Sequence, residues 1–172
     1  VHVGEARMLV AGQEQVQGQT THRLELEMKG GLPMYKLHDR ETSWITTDPM
    51  QTHRFVQKIR EGNHRAHRTF DIFPQKGQYR LTVKNPKTGK VVRDRTVREG
   101  VPRYPLDELA FLYYVRRLPL EVGTSCTVNR YFQPEDNPVR FTVQRRTEIR
   151  VPAGSFEVFV VEPHLPGAGV FA

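Results

Sequence analysis

The chain has 172 residues, a formal net charge of +7 and a single cysteine. This length suits one domain with a sizeable core, and one cysteine excludes an internal disulfide framework and a multi-cysteine metal site. No apolar run approaches the roughly 20 residues that a membrane-spanning helix needs. With 13 Gly and 12 Pro, the composition favours a β-rich domain over a helical bundle.

The positive charge is concentrated in the middle of the chain. Residues 51–100 contain 13 Lys and Arg against 4 Asp and Glu, whereas residues 101–172 contain 8 of each kind. A basic surface attracts anions such as nucleic acid, acidic lipid head groups or polyanionic polysaccharide. A solvated sheet face explains the same charges without a partner, so both interpretations stay open at this stage.

Alternating apolar and polar residues predict β-strands through the first hundred residues, because a period of two is typical of half-buried strands. Short turns near residues 61–63 and 85–89 predict two hairpins, over residues 54–73 and 79–97. The apolar positions of the first two strands are Ala6, Met8, Val10, Leu24, Leu26 and Met28.

One segment predicts a helix over residues 105–117. Pro105 suits a first helical position, acidic residues follow it, and Arg116 and Arg117 suit the last turn. The middle of this segment is apolar all round, which is typical of a helix buried on several sides. The expected core residues are Leu109, Phe111, Leu112, Tyr113 and Val115.

Strands are predicted again after the helix, at residues 125–132, 139–143 and 147–151. A tight turn at residues 152–154 follows, in which Gly154 can supply a positive φ. We therefore expect a single mainly β domain over residues 1–172: a curved antiparallel sheet, half-barrel or sandwich with one substantial helix. The chain starts within a predicted strand, and we expect a fragment or processed form that lacks strands at both ends.

No motif for catalysis, for a metal or for a phosphate loop is recognisable, so we expect no catalytic residue, no metal and no cofactor. Ser155 lacks the flanking residues of a nucleophile elbow. His64 and His67 are three apart, so a strand places them on opposite faces. A hydrolase that uses Asp39 and Glu41, two residues apart on one strand face, remains an alternative.

A second alternative is a non-specific nucleic-acid binder that uses the basic region 51–100. Aromatic residues interleave with the basic ones there, and a base-stacking platform needs such residues. The predicted anion-binding residues are Arg54, Lys58, Arg60, Arg65 and Arg68. Even spacing places the first three on one strand face, and only one of Arg65 and Arg68 can join them. We expect this charge to be diffuse and to give no sequence-specific binding to nucleic acid.

Two blocks in the second half, residues 106–123 and 146–158, resemble a known family. The second block is followed by Val161-Glu162-Pro163. Three shorter segments fit the same family in the same order, at residues 3–6, 39–44 and 54–57. The chain is thus similar over nearly its whole length to the domain of unknown function 3108 family (DUF3108), exported proteins of Gram-negative bacteria.

This resemblance implies a signal peptide in the precursor, a periplasmic or envelope-associated location and a largely antiparallel β fold. It supplies no established activity and no catalytic residue. Family members have another strand before Val1 and a further pair of strands after Gly169-Val170-Phe171. We therefore expect a non-enzymatic exported envelope protein that binds an apolar or anionic envelope molecule, such as a lipid or a polysaccharide.

Overall fold

The computed structural model describes residues 4–32 and 35–164. Within these residues, ten strands form two antiparallel sheets, and one α-helix follows the seventh strand. The strands are β1 (Gly4–Val16), β2 (Gln19–Leu32), β3 (Tyr35–Thr47), β4 (Met50–Glu61), β5 (His64–Phe73), β6 (Gln78–Lys84), β7 (Val91–Val97), β8 (Ser125–Val128), β9 (Val139–Val151) and β10 (Gly154–His164). The helix is α1 (Glu108–Val115), and short 3-10 helices cover Pro74–Lys76 and Pro134–Asp136. The prediction of a mainly antiparallel β fold with one substantial helix is confirmed.

The larger sheet is a meander in which β1 to β7 lie side by side in chain order. Two-residue turns connect β1 to β2 and β4 to β5. In the first of these turns, Gln17 and Gly18 have φ of 53° and 77°, which are the positive values that two-residue hairpin turns require. The two hairpins predicted over residues 54–73 and 79–97 are present as β4–β5 and β6–β7.

The smaller sheet has the strand order β10-β9-β8. Its long β9–β10 hairpin closes where Val151 pairs with Gly154. The φ of Gly154 is 133°, a value that side chains with a Cβ resist, so the predicted tight turn is confirmed. The strand predicted over residues 125–132 ends earlier, at Val128, and β9 is continuous where the sequence suggested two strands.

The core lies between the larger sheet and the chain that follows it. Phe55, Phe70 and Tyr79 lie on one face of β4, β5 and β6, which we call the core face. Phe132, between β8 and β9, packs against them, with its ring centroid 4.9 Å from Phe70 and 5.3 Å from Tyr79. These edge-to-face contacts fix how the second half of the chain covers the sheet. The opposite face of the sheet, which includes Lys58, is called the outer face.

The helix is shorter than predicted and begins three residues later. Asp107 is its N-cap residue, in an extended conformation, and the predicted first position, Pro105, lies outside the helix. The backbone of residues 105 and 106 forms hydrogen bonds outside the helix. Pro105 O accepts a hydrogen bond from Thr52 N at 2.8 Å, and Leu106 pairs with Tyr131. Contacts with distant strands therefore override the local preference of proline for a first helical turn.

Helix α1 buries one side only. Leu109 and Phe111 are buried and Tyr113 and Val115 are half-buried, but Leu112 is 45 % exposed. The prediction that Leu112 is a core residue is wrong, because the sheet covers only one side of the helix and an all-apolar sequence does not reveal which side. No helix in the described part of the chain is long and apolar enough to cross a membrane.

Candidate functional site

An open groove of about 490 Å³ lies between the first three strands and helix α1. Val10, Leu24 and Ile45 line it from β1, β2 and β3. The strand register places these residues together on the core face, because Val10 lies opposite Leu24 and His22 lies opposite Ile45. Val10 stays 53 % exposed, so apolar surface is open to solvent. The groove volume falls within the range of small-molecule sites, roughly 300–1,000 Å³.

Two arginines at the C-terminal end of the helix border this groove. The Arg117 guanidinium donates a hydrogen bond to Thr47 O at 3.3 Å, and the Arg116 guanidinium lies 5.9 Å from the ring centre of Tyr113. Within the described residues, neither Asp nor Glu lines the groove. The site therefore combines an apolar floor with a cationic rim.

Asp107 fixes the helix to the sheet beneath it. Its carboxylate is fully buried and accepts hydrogen bonds from Ala110 N at 3.0 Å, from Thr52 Oγ1 at 2.8 Å and from the Ser43 hydroxyl. Burial raises the pKa of Asp107, and these hydrogen bonds counteract that shift. The helix N-terminus is thus tied to both β3 and β4, which holds one wall of the groove in position.

Glu108 is the second acid at this helix end; the residue is half-buried and its Oε2 atom is buried. Its Oε1 accepts a hydrogen bond from the Tyr131 hydroxyl at 2.7 Å, whereas its buried Oε2 has no hydrogen-bond partner. Burial, followed by the charges of Asp107 and Glu41, raises the pKa of Glu108 to about 8. The carboxyl is therefore protonated at neutral pH, which avoids the cost of a buried unpaired charge. Burial also raises the pKa of Tyr131.

The carboxylates of the hydrolase alternative lie on the core face of β3. Asp39 accepts a hydrogen bond from Arg60 N at 2.8 Å, and Glu41 accepts one from Gln57 Nε2 at 3.1 Å. Burial raises the pKa of Glu41. The two acids share one strand face, as their spacing predicts, but each is held by a neighbouring strand. Among residues 4–32 and 35–164, no three His, Cys, Asp or Glu side chains form a metal-binding group.

The five basic residues predicted to bind anions divide between the two faces of the sheet. Four of the five lie on the outer face, namely Arg54, Lys58, Arg60 and Arg65. In the register of β4 and β5, Arg54 pairs with Asp71, Lys58 pairs with His67, and Arg60 pairs with Arg65. Arg68 lies on the core face, opposite the buried Gln57. Arg54 forms an ion pair with Asp71 at 2.6 Å. The structure therefore places four members of the set on one face, and within the described residues Lys58, Arg60 and Arg65 form no ion pair, whereas Asp71 neutralises Arg54.

Sequence reasoning missed the groove and the hydrogen bonds around Asp107. The sequence pattern predicts Asp107 and Glu108 only as residues of the first helical turn, and it does not predict that Asp107 is the N-cap residue. Its partners Ser43, Thr52 and Tyr131 come from distant strands and loops, and their hydroxyls form no recognisable motif. The groove depends on strand register combined with the position of the helix, and neither follows from local periodicity.

Comparison with known proteins identifies the family and no individual relative. No curated protein and no solved structure matches the chain. The family model described as "Protein of unknown function (DUF3108)" matches residues 1–172. The match covers the whole chain, in agreement with the resemblance of its sequence blocks. The chain therefore belongs to the DUF3108 family.

Proposed function

We propose that this protein is a non-enzymatic binding protein that takes an amphiphile, with an apolar body and an anionic head, into the groove beside helix α1. The observation that carries the proposal is the apolar floor of Val10, Leu24 and Ile45 beneath Arg116 and Arg117. Apolar area removed from water contributes about 25 cal/mol per Å², and this favours an acyl or similarly apolar chain. A guanidinium pairs with a carboxylate or phosphate through two parallel hydrogen bonds, and this favours an anionic head.

We place this activity in the cell envelope of a Gram-negative bacterium, after export of a precursor with a signal peptide. The similarity of residues 106–123 and 146–158 to exported members of the family supports this location. An envelope supplies amphiphiles of the required chemistry, whether lipids or lipid-linked polysaccharides.

A carboxylate-based hydrolase is the second candidate, because the pKa values of Glu41 and Glu108 are raised, as is common for catalytic acids. The contacts of these groups favour a structural role. Glu108 bonds to Tyr131 beneath the helix and Glu41 bonds to Gln57, so both connect elements of the fold. The groove also contains neither acid.

Binding of dodecyl phosphate and of dodecyl maltoside, measured by isothermal titration calorimetry below their micelle concentrations, tests the proposal. We expect the anionic amphiphile to bind and the neutral one to bind far more weakly. The R116Q/R117Q double variant should weaken dodecyl phosphate binding roughly 10- to 100-fold, the loss expected for one charge-assisted hydrogen bond. The matched control is R145Q/R150Q, which removes the same charge from exposed positions of β9.

Equal binding of both amphiphiles, or an unchanged affinity in R116Q/R117Q, would show that the arginines do not select the head group. The single variant R116Q separates recognition from stability, because only Arg117 also bonds to the backbone. If the parent protein hydrolyses the amphiphile and Glu41→Gln does not, the result favours the hydrolase instead.

A further inference from the structure

Cationic and apolar side chains meet at one end of the larger sheet. The paired ends of β2 and β3 and the β4–β5 and β6–β7 turns lie there, and we call this end the tip edge. A hydrogen bond from Gly62 N to Lys36 O at 2.8 Å ties the β4–β5 turn to β3. In the β6–β7 turn, Asn85 Oδ1 accepts hydrogen bonds from Lys87 N and Thr88 N. These hydrogen bonds hold the β4–β5 turn against β3 and close the β6–β7 turn. The groove lies near the opposite ends of β2 and β3.

Positive charges face one another across the outer face near the tip edge. Arg60 lies directly opposite Arg65, and Lys58, His67 and Lys84 form a row across β4, β5 and β6. Arg60 and Arg65 lie on neighbouring strands, which are about 4.8 Å apart, and like charges at this separation are unfavourable. Burial and the two lysines lower the pKa of His67 below its ordinary value of 6.5. An anion bound here would relieve that repulsion.

Farther from the tip edge, the basic residues of the outer face are already neutralised. Arg54 pairs with Asp71 at 2.6 Å, and Arg80 donates a hydrogen bond to Asp94 at 2.8 Å. In the part of the chain that the structure describes, no carboxylate forms an ion pair with the five basic residues near the edge, Lys58, Arg60, Arg65, His67 and Lys84. The unbalanced charge is therefore localised close to the tip edge.

Exposed apolar side chains lie at the same end of the sheet. Leu32 and Val92 are 62 % and 64 % exposed, and Tyr35 and Val91 are also exposed. Leu32 pairs with Tyr35 on the core face, whereas Val91 pairs with Lys84 on the outer face, so the tip edge carries apolar side chains on one face and cations with an apolar neighbour on the other. Aliphatic, tyrosine and lysine side chains together are typical of surfaces that lie in the interface of a lipid bilayer.

A small cavity between two turns adds a place for a head group. It has a volume of about 390 Å³ and is lined by Asn63 and Arg65 from the β4–β5 hairpin and by Asn85 and Lys87 from the β6–β7 turn. Two cations and two side-chain amides can donate hydrogen bonds to a phosphate group.

We propose that the tip edge docks onto an anionic lipid bilayer, with Lys58, Arg65 and Lys84 facing lipid phosphates and with Leu32 and Val92 entering the interface. A lipid surface fits better than a nucleic acid for two reasons. Of the aromatic residues that interleave with the basic ones, Phe55, Phe70 and Tyr79 are buried in the core, and the half-buried Phe73 lies at the end of β5 away from the tip edge. The exposed apolar side chains at the edge have no use in binding a hydrated polyanion.

Co-sedimentation with vesicles tests this docking. The vesicles contain phosphatidylcholine with about 30 % phosphatidylglycerol, or phosphatidylcholine alone, at low salt, where surface charges are weakly screened. We expect binding to the anionic vesicles only. Each lysine near a lipid surface contributes about 1 kcal/mol, so K58Q/K84Q should bind roughly 30-fold more weakly. The control R145Q/R150Q removes two charges elsewhere and should bind as the parent protein does.

A second double variant, L32S/V92S, separates lipid docking from simple attraction to polyanions. Both side chains are mostly exposed, so the fold should be unaffected, and circular dichroism checks this. We expect weaker vesicle binding by L32S/V92S and unchanged retention on heparin. Three results would overturn the proposal. The parent protein fails to bind the anionic vesicles, K58Q/K84Q binds them as the parent does, or L32S/V92S binds them as the parent does. Because these variants leave the groove intact, this result is independent of the amphiphile-binding test.

Discussion

Substituting Glu108 with glutamine should remove a large part of the pH dependence of stability. The pKa of Glu108 is about 8 in the folded protein and 4.5 as its ordinary value, so folded protein binds an extra proton between these pH values. For a carboxyl with a raised pKa, the stabilisation is complete below pH 4.5 and is lost as pH rises through the folded pKa. One pKa unit corresponds to about 1.4 kcal/mol. Raising the pH from about 6 to about 9 should therefore cost the parent protein roughly 3 kcal/mol through this group.

Glutamine keeps the shape and neutrality of the protonated carboxyl, and its Oε1 can still accept from Tyr131. Urea denaturation measures the free energy of unfolding of both proteins at about pH 6 and about pH 9. Over this range, the loss of stability in Glu108→Gln should be roughly 3 kcal/mol smaller than the loss in the parent protein. Asp107 and Glu41 titrate in both proteins, so the difference isolates Glu108. Glu148→Gln, at an exposed position of β9, is the matched control. Parallel pH profiles for the parent and Glu108→Gln would refute the assignment of a buried protonated acid.

Two further predictions concern the helix and the β9–β10 turn, and thermal unfolding monitored by circular dichroism measures both. Leu109→Ala should destabilise the protein by about 2–5 kcal/mol because Leu109 is fully buried, whereas Leu112→Ala should cost less than about 1 kcal/mol because Leu112 is exposed. Equal losses would contradict the observed helix orientation. Gly154→Val should lower the melting temperature more than Ala153→Val, since the φ of Gly154 is 133° and the strain amounts to about 1–3 kcal/mol. The reverse order would exclude this turn geometry.

The candidate sites were predictable only in part. Even spacing correctly placed Arg54, Lys58 and Arg60 on one face and allowed only one of Arg65 and Arg68 to join them. The neutralisation of Arg54 by Asp71 was not predictable, because that pair joins two strands. The row of Lys58, His67 and Lys84 depends on the register of three strands, which local sequence does not specify.

Local sequence patterns are sufficient to predict the class of fold, the hairpins over residues 54–73 and 79–97 and the turn at Gly154. These features depend on side-chain alternation and on backbone preferences that act over a few residues. The same local rules predict a helix over residues 105–117 with an acidic first turn.

Contacts between distant segments determine where that helix begins, which side of it is buried and what its acids contact. Pro105 lies outside the helix because its carbonyl bonds to Thr52, and Leu112 is exposed because the sheet reaches only the opposite side. The raised pKa of Glu108 likewise arises only once the fold buries its carboxyl and brings it near Asp107 and Glu41. These outcomes depend on contacts between residues far apart in the chain, whose free energies outweigh local preferences of about 1 kcal/mol or less.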